Sequence, residues 1–266
     1  MRRLWRSVRG GQASAAFPSW WMDFRADSRS LPPMRLTIRR SAERGHFDHG
    51  WLDTYHSFSF ADYYDPKHMG FRSLRVINQD IIGPGVGFPM HGHRDMEIFS
   101  YVLEGTIEHR DSMGNHAQVK PGQIQVMSAG TGVRHSEANP SASAPLQLLQ
   151  VWIEPDRKGL EPRYAEWTPT AAQLTAPKVL IISNDGRDGS AHISQDADVY
   201  RIKSAQALTF SHELRAGRGL WFQLITGDVT VGGVKLAPGD AVSSEDAGSF
   251  AFASAGAVEG LMFDLA

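Results

Sequence analysis

The sequence predicts an all-β protein built from two tandem small β-barrels with few short helices. Three observations carry that prediction. From Arg72 onward, short runs of β-branched and aromatic residues are broken by Gly, Pro, Asn and Asp at intervals of about 8 to 12 residues, the spacing of strands in a sandwich or barrel. No amphipathic helical pattern persists beyond about three turns. The chain also carries a degenerate internal repeat. Tyr101-Val-Leu-Glu-Gly105-Thr-Ile is followed by Val119-Lys-Pro-Gly122-Gln-Ile, and Gln223-Leu-Ile-Thr-Gly227-Asp-Val by Leu236-Ala-Pro-Gly239-Asp-Ala. Two matched turns in the same order imply two copies of one unit.

Taken in chain order, residues 1–33 stand apart. They hold six arginines against Asp23 and Asp27, so a net charge of −2 over 266 residues divides into +4 for this leader and −6 for the rest. The leader lacks the apolar stretch of a secretory signal. We expect it to be disordered or a non-native extension, with the folded protein starting at Met34. Strand-like runs follow at Leu74–Ile82, Glu97–Leu103, Thr106–Arg110, Gln123–Met127 and Leu146–Ile153, with tight turns at Glu104-Gly105 and Asp111–Asn115. Pro155, Pro162 and Pro169 mark a connector. The expected organisation is a first barrel over 34–155, a connector over 156–175 and a second barrel over 176–266.

Composition excludes several kinds of chemistry. There is no cysteine, which removes disulfides, thiolate nucleophiles, iron–sulfur clusters and thiolate-bound zinc together. Any metal must sit on His, Asp or Glu. No apolar run reaches the roughly 18 to 20 residues of a membrane span, and an acidic body disfavours direct nucleic-acid contact. We expect a cytoplasmic protein, monomeric because the second barrel supplies the contact that single barrels obtain by pairing.

Nine of the eleven histidines lie between His46 and His135. In a strand, residues i and i+2 share a face. His91-Gly-His93 and His135-Ser-Glu137 therefore each aim two ligand-type side chains at one side of a sheet. Facing one another, they would place three imidazoles and a carboxylate around a point, a donor set suited to Fe(II), Mn(II), Ni(II), Cu(II) or Zn(II). The spacing leaves Glu97 and Glu137 both eligible as the carboxylate. Applied to the repeat, the same offsets land on Glu213, Arg215, Phe252 and Ser254, which cannot hold a metal. His46, His49, His56, His68, His109 and His116 read as turn or surface residues.

The frame of Gly85, His91-x-His93, Glu97 and Gly105, then Gly122, Gly132, His135 and Asn139, resembles the paired motifs of the cupin superfamily. The segment His56-Ser-Phe-Ser-Phe-Ala-Asp-Tyr-Tyr-Asp-Pro66 and the run Met69-Gly-Phe-Arg-Ser-Leu-Arg-Val-Ile-Asn78 resemble more narrowly the pirin family. So do His91-Gly-His-Arg-Asp-Met-Glu-Ile-Phe-Ser-Tyr-Val-Leu-Glu-Gly105 and Ala129-Gly-Thr-Gly-Val-Arg-His-Ser-Glu137. The resemblance, from about Met34 to the C-terminus, is strongest to the bacterial branch similar to quercetin 2,3-dioxygenases. It implies a bicupin whose first barrel binds one divalent transition metal, commonly Fe(II), through His91, His93, His135 and Glu137. Mn, Ni, Cu, Co and Zn are alternatives. Glu97 then becomes a candidate to orient a ligand imidazole. Asp95-Met96 departs from the Gly-Phe of many members and touches the rim of the site.

The expected function is a dioxygenase acting with O₂ on a small enolic aromatic substrate of the flavonol type, with release of CO and with Glu137 as base. Phe47, Phe60, Phe71 and Phe88 are candidates for the substrate pocket. The alternatives are a metal-binding redox switch acting on a protein partner, or an oxygenase for another enolic metabolite.

Overall fold

A computed structural model describes residues Met34–Ala266, and the arginine-rich leader lies outside the described residues. Each half of the chain folds into one seven-stranded and one four-stranded sheet, almost entirely antiparallel. The correspondence holds through the four-stranded sheets and the central strands of the large ones. In the first half, Glu97–Glu104 lies at the centre of the large sheet between Ile124–Ser128 and Leu146–Ile153, and in the second Gly219–Thr226 lies between Ala241–Ser244 and Val258–Leu265. The repeat seen in the sequence is the same turn used twice. Gly105 and Gly227 have φ of 81° and 80°, and Gly122 and Gly239 of 81° and 83°, in the left-handed region where glycine carries no Cβ penalty.

The expected strands fall where alternation placed them, with ends moved by a residue at most: Leu74–Ile82 and Leu146–Ile153 coincide, and Thr106–Arg110 is observed as Ile107–Asp111. Two segments differ from expectation. Within 156–175, Arg163–Trp167 is a strand that extends the first large sheet beside Ile124–Ser128. Its alternation was masked by the prolines on either side. At the start of the chain, Thr37–Arg39 pairs with Ala241–Ser243 and so joins the second half's sheet. Sequence adjacency put this strand with the first barrel, whereas its unpaired edge is satisfied across the molecule.

The core follows this arrangement. One apolar cluster joins the outward faces of both large sheets, including Phe58, Ile77, Phe99 and Val151 from the first half and Ile181, Trp221, Leu261 and Phe263 from the second. The lumen of the first barrel is layered. Leu52, Ile82, Val102, Ile107, Leu146 and Leu148 close one end and Ile98, Met127, Ala129 and Val133 the other. Between them lies a polar belt of Thr54, Asn78, Asp80, Ser100, Gln125, Glu137 and Gln150, all nine-tenths buried or more.

Candidate metal centre

Two strands of the four-stranded sheet bring the histidines together. Gly87–His93 pairs with Val133–Ala138 so that His91 lies directly opposite His135 and His93 opposite Val133. Past His135 the register slips by a bulge, so that Glu137 faces Phe88. The bulge re-aims one strand without changing the alternation of the other. Gly87 makes the close approach possible, because a Cβ there would meet the Glu137 carbonyl oxygen and Ala138.

The three imidazoles converge. Their ring centroids are 4.5 to 4.8 Å apart, and their facing nitrogens lie within 4.8 Å of one another. His91 Nε2 and His135 Nε2 approach to 3.1 Å. His91 Nδ1–H donates to the Pro89 carbonyl at 2.8 Å, which orients the ring with Nε2 pointing inward. Burial, with the neighbouring imidazoles adding to it, pushes His93 down to about 4 and His135 to about 3. Both are therefore neutral at pH 7, the state in which imidazole binds a cation.

Glu137 lies one layer deeper. Its Oε1 accepts from Ser100 Oγ at 3.1 Å and from Gln125 Nε2, and Oε2 accepts from Gln150 Nε2 at 2.8 Å. A second cluster of ligand-type atoms, His109, His135 and Glu137, also lies within 4.8 Å. His109 was expected at a turn or on the surface, and it is instead fully buried. It shares the inward face of its strand with Ile107, stacks on Tyr164 at 4.5 Å, and is held through Nε2 by Asp111 at 3.2 Å. Alternation with Ile107 was the signal that could have found it. The two clusters share His135.

The other expected residues are divided. Glu97 makes no contact with the imidazoles; Ser128 Oγ donates to it at 2.6 Å and Arg163 lies nearby, while burial raises its pKa. It alternates with Ile98 and Ser100, which face the lumen, so its side chain lies on the opposite face of the sheet from the histidines. Phe71 packs on Trp221 at 5.7 Å in the core between the barrels and is not part of the site. Phe47 lies behind His56 at 5.6 Å. Phe88 flanks His91 at 6.4 Å, and Phe60 reaches the cluster through Trp152, which packs edge-on against His93 at 4.8 Å. Trp152 and Trp51, the edge-on partner of Phe88, were not singled out in the sequence because each reads as ordinary core. Asp95 at the rim adopts φ of 49° and uses its carboxylate to accept from Gly159 N–H at 2.7 Å, which accounts for a non-glycine residue there.

In the second barrel, the residues paired like His91, His93 and His135 are Phe210, His212 and Phe252, followed by Ser254. The first motif is displaced from the expected Glu213 and Arg215 because the connection leading to Gly227 is three residues longer. His212 faces inward, bonded to Asp264 at 2.9 Å and Lys178 at 3.1 Å, and Phe210 stacks on Phe252 at 4.6 Å. Among the described residues, both ligand-type clusters lie in the first barrel.

Comparison with known proteins agrees with this architecture. The Pirin family model matches residues 37–153, and the model described as the quercetinase C-terminal cupin domain matches 180–265. A protein of Escherichia coli K12 named quercetin 2,3-dioxygenase is 48% identical over 233 residues, covering 86% of this chain and 98% of the relative. The crystal structure of YhhW from E. coli superposes with a TM-score of 0.84 at 47% identity, over 87% of this chain and 98% of that one. The complex of the same bacterial pirin with nickel(II) gives 0.83 at 46% identity, over 87% and 99%.

Proposed function

The chain belongs to the pirin family, and from that premise we propose that it is a metal-dependent dioxygenase that opens the central ring of a flavonol such as quercetin with O₂, releasing CO. The observation that carries the reading is the convergence of three imidazoles on one point, with two Nε2 atoms facing at 3.1 Å. Bare nitrogen lone pairs that close repel one another unless a cation or proton lies between them. The donor set fits one divalent transition metal held by His91, His93, His135 and Glu137. It is an N₃O set that takes iron, manganese, cobalt, nickel, copper or zinc, with Fe(II) as our preferred ion, and the nickel complex of the E. coli relative supports a divalent site. When bound, the ion supplies Lewis acidity toward the substrate's enol oxygen and leaves open positions for reaction.

The chain's own groups do the rest. Glu137 Oε2 takes a single hydrogen bond and so keeps a lone pair with which to accept the enol proton. The amides of Gln125 and Gln150 hold that carboxylate in place before and after the transfer. The apolar ends of the lumen exclude bulk water, which strengthens these interactions. The test is to strip the protein, reload it separately with Fe, Mn, Ni, Cu and Co, and follow quercetin absorbance together with CO. Loss of quercetin with matching CO is the expected result, and no turnover with any of the five ions overturns the reading.

A further inference from the structure

Three polar atoms along one wall of the first barrel are buried without a hydrogen-bond partner: His56 Nδ1, the side-chain oxygen of Asn78 and Trp152 Nε1. The fold places them side by side. His56 and Asn78 are cross-strand partners, and Asn78 lies opposite Gln150, from which Trp152 follows two residues later on the same face. His56 and Asn78 are each 4% exposed. An unpaired buried polar group is destabilising, so three on one wall mark a surface shaped to receive polar atoms.

The same wall is aromatic. His93 meets Trp152 at 4.8 Å, Trp152 meets Phe60 at 5.2 Å, and Phe60 meets His56 at 5.5 Å, each edge to face. This run of rings leads directly away from the histidine cluster. The hydrogen-bonding character of the three atoms is fixed by their neighbours. Thr54 Oγ1 donates to Asp80 Oδ1 at 2.5 Å and accepts from His56 Nε2–H at 3.0 Å, which leaves His56 Nδ1 as an acceptor. The Asn78 oxygen is also an acceptor, and an indole N–H can only donate. Two acceptors and one donor among ring edges match the hydroxyls of a phenolic ring, whose O–H donates and whose oxygen accepts.

We propose that His56, Asn78 and Trp152 form a specificity subsite that seats the outlying hydroxylated ring of the substrate beside the histidine cluster. The inference rests on the flavonol reading and orients the molecule: its enol end lies at the histidines, its phenolic end along the His56–Asn78 wall. These three are positioning residues, and Phe60 packs against His56 and Trp152.

The test is equilibrium binding without O₂, so that nothing turns over, to the metal-loaded full-length protein. The probes are quercetin, kaempferol and galangin, which share the enol and ketone and carry two, one and no hydroxyls on the outlying ring. A site built to bond a hydroxyl rejects an analogue lacking it, so quercetin should bind at least about tenfold more tightly than galangin. In Asn78→Leu and in Trp152→Phe, each checked for metal content and circular dichroism, that ratio should fall at least about threefold. If one variant fails to fold, the other carries the test. Equal binding of the three flavonols by the unaltered protein, no binding of any, or an unchanged ratio in the folded variants overturns the subsite. Retained preference without turnover in air overturns the dioxygenase reading alone.

Discussion

His135 carries more of the site than its neighbours, because its ring is shared by the His91–His93 cluster and by the His109–Glu137 cluster. His135→Ala should reduce bound metal at least about tenfold, more than loss of an orienting group alone, as read by metal analysis of dialysed protein. Full occupancy in that variant would remove the basis of the proposed site. Asp80 offers a separate test by titration. Burial raises its carboxyl to about 7, against the pull of the Thr54 hydroxyl, and the Glu137 charge adds to the rise. Folding therefore stabilises the protonated form: the contribution is complete below the unfolded value near 4 and is lost as pH rises through about 7. Asp80→Asn cannot titrate and keeps an oxygen to accept from Thr54, so its melting temperature relative to the parent should rise between pH 5 and pH 8. A constant difference over that range would contradict the linkage. At this scale the i, i+2 spacing made His91, His93, His135 and Glu137 legible as two same-face pairs. His109 obeys the same rule through its alternation with Ile107, but Glu108 and Arg110 on either side of it make the strand read as exposed.

The strand pair Gly87–His93 and Val133–Ala138 is the element that turns those residues into a site, and its closest point is Gly87. An ideal Cβ there would overlap the Glu137 carbonyl oxygen, so Gly87→Ala must spread the strands where the bulge sets the direction of Glu137. Overpacking of this kind costs about 1–3 kcal/mol, a fall of roughly 2–10 °C in a domain of this size, and metal content should drop with it. Gly85 provides the contrast. A Cβ at Gly85 meets nothing within 4 Å although φ is 70°, so Gly85→Ala should lose stability through backbone strain alone, about 1–2 kcal/mol, with metal content intact. Equal metal loss in both variants, measured on folded protein, would show that strand separation is not what matters. Most strands were legible because period-2 alternation and Gly turns are local signals. The bulge was not, being a mismatch between two strands, and neither was Arg163–Trp167, whose partner Ile124–Ser128 lies far back in the chain.

Across the whole molecule, the least local feature is the one that joins the barrels. Thr37–Arg39 extends the second large sheet, and the buried Arg39 turns back to donate to the Ser57 carbonyl at 3.2 Å and the Tyr63 hydroxyl at 2.7 Å on the first-half side. Arg40 and the Ser41 backbone both bond Asp240 at 2.7 Å. Between the sheets, Phe58 packs on Trp221 at 4.7 Å, Tyr101 Oη donates to Glu259 at 2.5 Å, and Ser57 Oγ donates to Gln223 at 3.2 Å. A repeat in sequence suggests two units that could unfold separately, whereas one shared apolar cluster means that exposing either large sheet uncovers the other. Each large apolar side chain left without its partner forfeits about 1.5–3 kcal/mol, several times over at this interface, against a total stability of about 5–15 kcal/mol for a typical domain. Calorimetry should therefore show one cooperative transition for both barrels. Trp221→Ala, which empties the centre of the interface for about 3–5 kcal/mol, should lower that single transition without splitting off a first-barrel component. Two resolved transitions in the parent protein would mean that the barrels stand independently and that the exchanged N-terminal strand is only an attachment.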